Sequence, residues 1–137
     1  MSRSLRTATL LVCALHALSG CVWMVLHYFF QIDTAFGPGP NPWEPVAMRI
    51  HGGIAVAMVF LLGWLTSRHI IEAWNVRWNH TSGMVLSIVC LLQILSGYAL
   101  YYLADAQLQS GVAVVHQVVG VSAIVIALLH WHRRLLP

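Results

Sequence analysis

Four long apolar segments, separated by short polar stretches, make up almost all of this chain. They span residues about 7–31, 46–70, 81–103 and 111–133, and each is long enough to cross the ~30 Å hydrocarbon core of a bilayer as a helix. None alternates apolar and polar residues as a half-buried strand would. The pattern predicts an all-α protein, a transmembrane four-helix bundle forming a single membrane domain over residues 1–137.

The composition agrees with this interpretation and adds a topology. Hydrophobic residues make up 59% of the 137 residues and charged residues 8%, whereas about a quarter of the residues in a soluble domain are charged. The small positive net charge reflects where the arginines lie and gives no indication of nucleic-acid binding. By the positive-inside rule the termini are cytoplasmic, as in a multi-pass protein of a bacterial inner membrane. The arginines predicted on that side are Arg3, Arg6, Arg68, Arg77, Arg133 and Arg134, against Arg49 alone on the other.

The first segment also has the pattern of a lipoprotein signal, because arginines and an apolar run precede Leu18-Ser19-Gly20-Cys21. The residues after Cys21 remain apolar, and cleavage there would leave three helices. We therefore expect the first helix to be retained. The chain contains no C-x-x-C motif, which excludes a zinc site, a redox pair or a covalently attached haem built on one.

Two histidines of the fourth predicted helix recur at helical spacing. His116 and His130 are 14 residues apart, which places them within about 40° of one helical face and about 21 Å apart along the axis. Only the small residues Gly120, Ala123 and Ala127 lie between them on that face. Small residues also line ordinary contacts between membrane helices. An imidazole near each membrane surface, with room between, also suits a helix that ligates two stacked haems.

The second predicted helix offers partners for these histidines. His51 and His116 each come about five residues into helices that run in the same direction, so their imidazoles should lie at one depth on the outer side. His69 follows His51 by 18 residues, returns to the same face, and should lie near the inner surface with His130. The predicted haem ligands are therefore His51 with His116 and His69 with His130. Arg49, close to His51, is the candidate cation for a haem propionate.

Further titratable residues lie near the ends of the predicted helices. His16 and His27 are 11 residues apart on the first helix and nearly in phase, which makes them alternative haem ligands. A quinone or proton-transfer site needs protonatable groups close to a haem edge. His80 and Glu72 are the candidates at the inner end and His27 is the candidate at the outer end, and the sequence does not choose between them.

Two local motifs, R-x-H-G-G at 49–53 and H-x-x-x-G…H at 116–130, resemble those of small four-helix di-haem cytochromes b. That family includes the membrane subunits of nickel–iron hydrogenases and respiratory formate dehydrogenases, and related bacterial four-helix proteins share further motifs with this chain. The resemblance implies that His116 pairs with His51 and that His130 pairs with His16. Depth along the helices instead favours His69, which leaves His16 as a buried histidine. The further motifs lie at 39–42, 49–53, 68–69, 96–102 and 116–120.

The resemblance implies a membrane b-type cytochrome with two haem b groups, each held by two histidines. It would carry electrons across the lipid bilayer between an extracytoplasmic redox partner (a cytochrome c, a flavoprotein or a dehydrogenase subunit) and a quinone or another membrane carrier. No nucleotide or flavin motif occurs, so we expect an electron-transfer subunit of an oxidoreductase complex rather than a self-contained enzyme. Two alternatives are a histidine-rich transition-metal transporter or binding protein and a structural membrane subunit without haem. The intramembrane acids usual along cation pathways are missing from the sequence.

Overall fold

The fold was analysed in a computed structural model, which describes residues 3–76 and 80–132, apart from the side chains at positions 73, 75 and 76. Within these residues, four helical spans are long and apolar enough to cross a membrane. This confirms the helical character of the chain and fits a multi-pass membrane protein. The elements in chain order are α1 (Arg3–Phe29), β1 (Ile32–Thr34), β2 (Gly37–Gly39), α2 (Glu44–Leu65), a π-helical turn (Thr66–Ile70), α3 (Ile71–Val76), α4 (His80–Tyr102) and α5 (Ala106–His132).

The chain divides into two compact units, Met1–Arg68 and His69–Pro137. In the first unit α1 packs against α2, and in the second α4 packs against α5. Each pair is antiparallel, because residues late in one helix contact residues early in the next. The single membrane domain and the cytoplasmic termini remain predictions. Arg77, Arg133 and Arg134, on which the orientation partly depends, lie outside the described residues.

The helices expose their large apolar side chains instead of burying them. Among the described residues only Ala47 and Leu61 form buried hydrophobic positions, whereas Phe60 and Leu128 are 79% and 64% exposed. In water such surfaces would associate or aggregate. In a bilayer the lipid tails are as apolar as leucine, so outward-facing leucine, valine and phenylalanine are expected.

Local hydrogen bonds explain why two of the helices begin earlier than the hydrophobic pattern predicts. Before α2, the Asn41 backbone N–H donates to Glu44 Oε1 at 2.9 Å, and Pro45 lies in the first turn, where a missing N–H is harmless. Before α5, Asp105 Oδ1 accepts from the Leu108 N–H at 2.8 Å, an N-cap that starts the helix at Ala106. The predicted polar connection at 72–83 is largely helical, since α3 and α4 occupy most of it.

The proline-rich segment between α1 and α2 is a two-stranded antiparallel hairpin. Thr34 pairs with Gly37, and Gly37 has φ +105°, a conformation that favours glycine. The side chain of Phe36 is fully exposed at the tip. A connection ordered by hydrogen bonds was predicted here, but strands of three residues are too short to produce a readable alternation.

Candidate functional site

Three histidines of the membrane-spanning helices each face a serine–glycine step on the neighbouring helix of their own unit. The serine hydroxyl lies within hydrogen-bond distance of the ring nitrogen Nδ1, and the glycine leaves space for the edge of the ring. The pairs are Ser19 with His51 at 3.0 Å, Ser96 with His116 at 2.9 Å, and Ser82 with His130 at 2.9 Å.

In the first unit, Ser19 determines which nitrogen of His51 carries the proton. The Ser19 hydroxyl donates to the His16 carbonyl at 2.9 Å, so toward His51 it can only accept. His51 must then donate from Nδ1–H, and in the neutral ring Nε2 is the unprotonated nitrogen. A side-chain carbon at Gly20 would lie 3.1 Å from His51 Cε1. Glycine is therefore needed for this close approach.

In the second unit, Ser96 holds His116 in the same way. Its hydroxyl donates to the Leu92 carbonyl at 2.8 Å and therefore accepts the Nδ1–H of His116. A side-chain carbon at Gly97 would lie 3.1 Å from His116 Cε1. On the other side of the ring, Gln93 Nε2 lies 3.0 Å from His116 Nε2.

His130 occupies the second serine–glycine step of α4. Ser82 Oγ lies 2.9 Å from its Nδ1, and a side-chain carbon at Gly83 would lie 3.5 Å from its Cε1. The two steps on α4 are 14 residues apart, as are His116 and His130 on α5. Because the helices are antiparallel, this matched spacing brings both histidines onto their steps at once.

His16 lies at the level of His51. The two rings are stacked, with centroids 4.3 Å apart and planes 12° apart. The family resemblance assigns these two histidines to different haems, whose other ligands, His116 and His130, are separated by about 21 Å along one helix. Two stacked rings cannot serve two sites so far apart, so the arrangement argues against His16 as the ligand paired with His130.

His69 lies in the π-helical turn that follows α2. A regular α-helix advances about 100° per residue, and a π-helical turn, with its wider i→i+5 ring, advances less. The face that His69 was predicted to share with His51 therefore lacks a continuous regular helix. Its role as a haem ligand remains a prediction from sequence depth alone.

Arg49 is exposed on the regular part of α2. It precedes His51 by two residues, which on an α-helix turns its side chain about 200° away from the histidine. The predicted contact of Arg49 with a propionate of a haem at His51 is therefore not favoured by this geometry.

His27 forms a pair with a buried carboxylate between the end of α1 and the start of α2. Its Nδ1–H donates to Glu44 Oε2 at 2.9 Å, and the side chains are 39% and 9% exposed, respectively. The His27 ring stacks on Trp23 with centroids 4.6 Å apart. A pocket of 360 Å³ adjoins the pair, and its lining consists of Trp23, Pro40, Asn41, Pro42, Glu44, Pro45 and Met48.

The two inner candidates for a proton-transfer site belong to the second unit. His80 begins α4 and packs edge-on against Trp74, with ring centroids 4.1 Å apart. Glu72 is exposed on α3. The ring contact with Trp74 is typical of a histidine at a membrane interface, where aromatic side chains collect.

Sequence reasoning missed the serines, Gln93 and Glu44 as functional candidates, although it identified Gly83 and Gly97 in a small-residue stripe. A signal was available, because the dipeptide Ser-Gly recurs and two of its copies match the spacing of the histidines. In the described part of the chain no three histidine, cysteine, aspartate or glutamate side chains come together as a metal-binding group. A bis-histidine site needs only two.

Comparison with known proteins yields no relative. The chain matches no family model, and neither a curated protein nor a solved structure is detectably similar to it. Its function must therefore be argued from the histidines and the residues that hold them.

Proposed function

We propose that this chain is a membrane b-type cytochrome that carries electrons through two haem b groups. The observation that supports it is the hydrogen bond from Nδ1 of His51 and of His116 to a serine whose own proton is donated elsewhere. This bond keeps each neutral ring in the tautomer whose Nε2 has a free electron pair. Such an outer partner is what iron-ligating histidines characteristically have.

The residues present fit a haem in chemistry and in surroundings. The proposed axial ligands are His51, His116, His130 and, from sequence depth, His69. When bound, each haem would supply one-electron redox chemistry, with both axial positions filled by imidazole. The surrounding helices supply apolar side chains that exclude water and favour burial of a macrocycle. Serine–histidine bonds also occur between membrane helices without a cofactor, but here one arrangement recurs at three histidines.

The absorption spectrum of the purified protein tests this proposal directly. We expect a Soret band and, after dithionite reduction, a sharp α-band of the b type. Extraction should release about two haems per chain, since non-covalent attachment follows from the lack of a C-x-x-C-H motif. A colourless protein that takes up no added haem would overturn the proposal.

The serine hydrogen bonds make a separate prediction. Ser96→Ala removes the acceptor for His116 Nδ1–H and should weaken binding of the haem at His116 about 10- to 100-fold, the usual effect of losing a ligand's outer partner. Ser110→Ala is the matched control, because Ser110 is exposed on α5 and the adjacent Gly111 faces open space. Haem titration followed at the Soret band measures both variants. Equal affinities in the two would remove the assigned role of Ser96.

The His27–Glu44 pair supports the outer end of the first unit as the place where a hydroquinone is oxidised. Because His27 donates its Nδ1–H to the Glu44 carboxylate, its Nε2 is a proton acceptor on a partly exposed ring. The carboxylate would stabilise the imidazolium that forms when that proton is taken up. The adjoining pocket offers Trp23 and proline side chains to an aromatic ring, and no comparable pair involves His80 or Glu72 among the described residues.

The proposed partner for onward transfer is an extracytoplasmic redox protein, which would dock at the β1–β2 hairpin. Phe36 at the hairpin tip is fully exposed, and aromatic residues are enriched at protein interfaces. The proposal includes the bacterial inner membrane as the location, with both termini in the cytoplasm.

A further inference from the structure

The two units use one local design around their best-held histidine. In each unit the residue three positions before the serine contacts the ring that the serine holds. In the first unit His16 stacks on His51, and in the second Gln93 bonds to His116. The corresponding sequences are H-A-L-S-G at 16–20 and Q-I-L-S-G at 93–97. These equivalent positions differ in chemistry, since only Gln93 offers an amide donor.

The hydrogen bonds define the orientation of the Gln93 amide. His116 already donates its Nδ1–H to Ser96, so in the neutral ring Nε2 has only an electron pair to offer. The amide group 3.0 Å away must therefore be the NH₂ end, which donates. This assignment leaves Oε1 buried, with no hydrogen-bond partner in the described part of the chain.

The space for this amide is built by the opposite helix. Gly120 lies one turn after His116 on α5, and a side-chain carbon there would lie 2.9 Å from Gln93 Nε2. Any larger residue at that position would push the amide away from the ring. His116, Gly120, Ser96 and Gln93 thus form one site in which both ring nitrogens of His116 are engaged.

We propose that Gln93 is the gate to the haem at His116: its amide occupies the Nε2 electron pair of His116 in the haem-free protein and must release it before iron can bind. This rests on the proposed function and adds a control on cofactor insertion. A donor held on Nε2 competes with iron for the same electron pair. The unpartnered Oε1 makes release easier, because the amide gives up one hydrogen bond rather than two when it turns away.

The test compares haem uptake by haem-free protein in detergent for three variants. Gln93→Leu keeps the side-chain volume but has no donor, and Gln93→Ala removes most of the side chain. Both should take up haem faster and bind it about 3- to 10-fold more tightly, the range expected from removing one competing neutral hydrogen bond. Gln109→Ala is the matched control, because the Gln109 amide donates to the Leu100 carbonyl at 3.2 Å, away from the histidines.

A second measurement does not depend on haem. The ¹⁵N signals of the His116 ring in haem-free protein report whether Nε2 accepts a hydrogen bond. We expect the Nε2 signal to move toward that of an unbonded nitrogen in Gln93→Leu and to stay in place in Gln109→Ala.

These readouts separate failure of the gate from failure of the proposed function. If haem binds to the wild-type protein but both Gln93 variants take it up no faster and no more tightly, the gate is wrong and the cytochrome assignment stands. If no variant binds haem, the cytochrome assignment fails, and the gate fails with it. The ring signal then still decides whether the Gln93–His116 bond exists.

Discussion

Replacing His116 with alanine should remove one of the two haems of each chain and leave the other in place. His116 is the histidine with the most complete hydrogen-bonded surroundings, and without its imidazole the iron loses an axial ligand. Haem per chain, measured after extraction from purified protein, should fall from about two to about one, as expected when each haem depends on its own pair of histidines. His130→Ala should also remove one haem, and the spectrum of the remaining one should differ from that of His116→Ala.

His132→Ala is the matched control for these variants. It lies on the same helix, α5, and is exposed near the helix end, so its loss should leave two haems. If His116→Ala retains both haems, the ligand assignment is wrong. Loss of both haems together with a lower unfolding temperature would instead indicate collapse of the helix pair.

The same measurement tests the pairing predicted from sequence depth. If His51 and His116 serve one haem, His51→Ala should remove the same spectral component as His116→Ala. For the inner haem, His69→Met should shift or remove the component assigned to His130, whereas His16→Met should not. A loss in His16→Met with none in His69→Met would favour the ligand set of the resembling cytochromes over the stacked arrangement of His16 and His51.

Replacing Glu44 with glutamine should slow oxidation of a short-chain hydroquinone by about 100-fold or more, the usual loss when a positioned general base is disabled. The amide can still accept the Asn41 N–H through Oε1, so the start of α2 is preserved. It can no longer stabilise a protonated His27, and its NH₂ group facing Nδ1 forces the ring into the other tautomer. Stopped-flow absorbance of the haems measures the rate, while haem content and the dithionite-reduced spectrum should remain unchanged.

Glu72→Gln is the matched control, since it removes an exposed acid of the same charge. We expect its rate to equal that of the wild-type protein. His27→Gln should behave like Glu44→Gln, because the two side chains act as a pair. If Glu72→Gln or His80→Gln is the slow variant, the proton-accepting site lies at the inner end of the helices instead.

The number and length of the helices could be predicted from the sequence because they depend on local hydrophobicity. A run of about 20 apolar residues has to satisfy its own backbone hydrogen bonds in lipid, and only a helix does so. The spacing of His116 and His130 was readable for the same reason, since helical phase is a local property. The hairpin at 32–39 and the early helix starts were missed because single hydrogen bonds, such as the one from Leu108 to Asp105, decide them.

Only the tertiary structure determined which side chains meet the histidines. Whether Ser19 faces His51, or Ser96 faces His116, depends on the register of two packed helices, and that register follows from loop length and close glycine contacts rather than from either helix alone. The same is true of the stack between His16 and His51, which the depth of His16 along its own helix does not reveal. The π-helical turn at Thr66–Ile70 also alters the phase of His69, and apolar periodicity carries no signal for it. Local sequence thus determined the helices and the histidines they carry, while packing between helices determined the partner of each imidazole nitrogen, because a hydrogen bond requires atoms within about 3 Å and only the folded register brings them there.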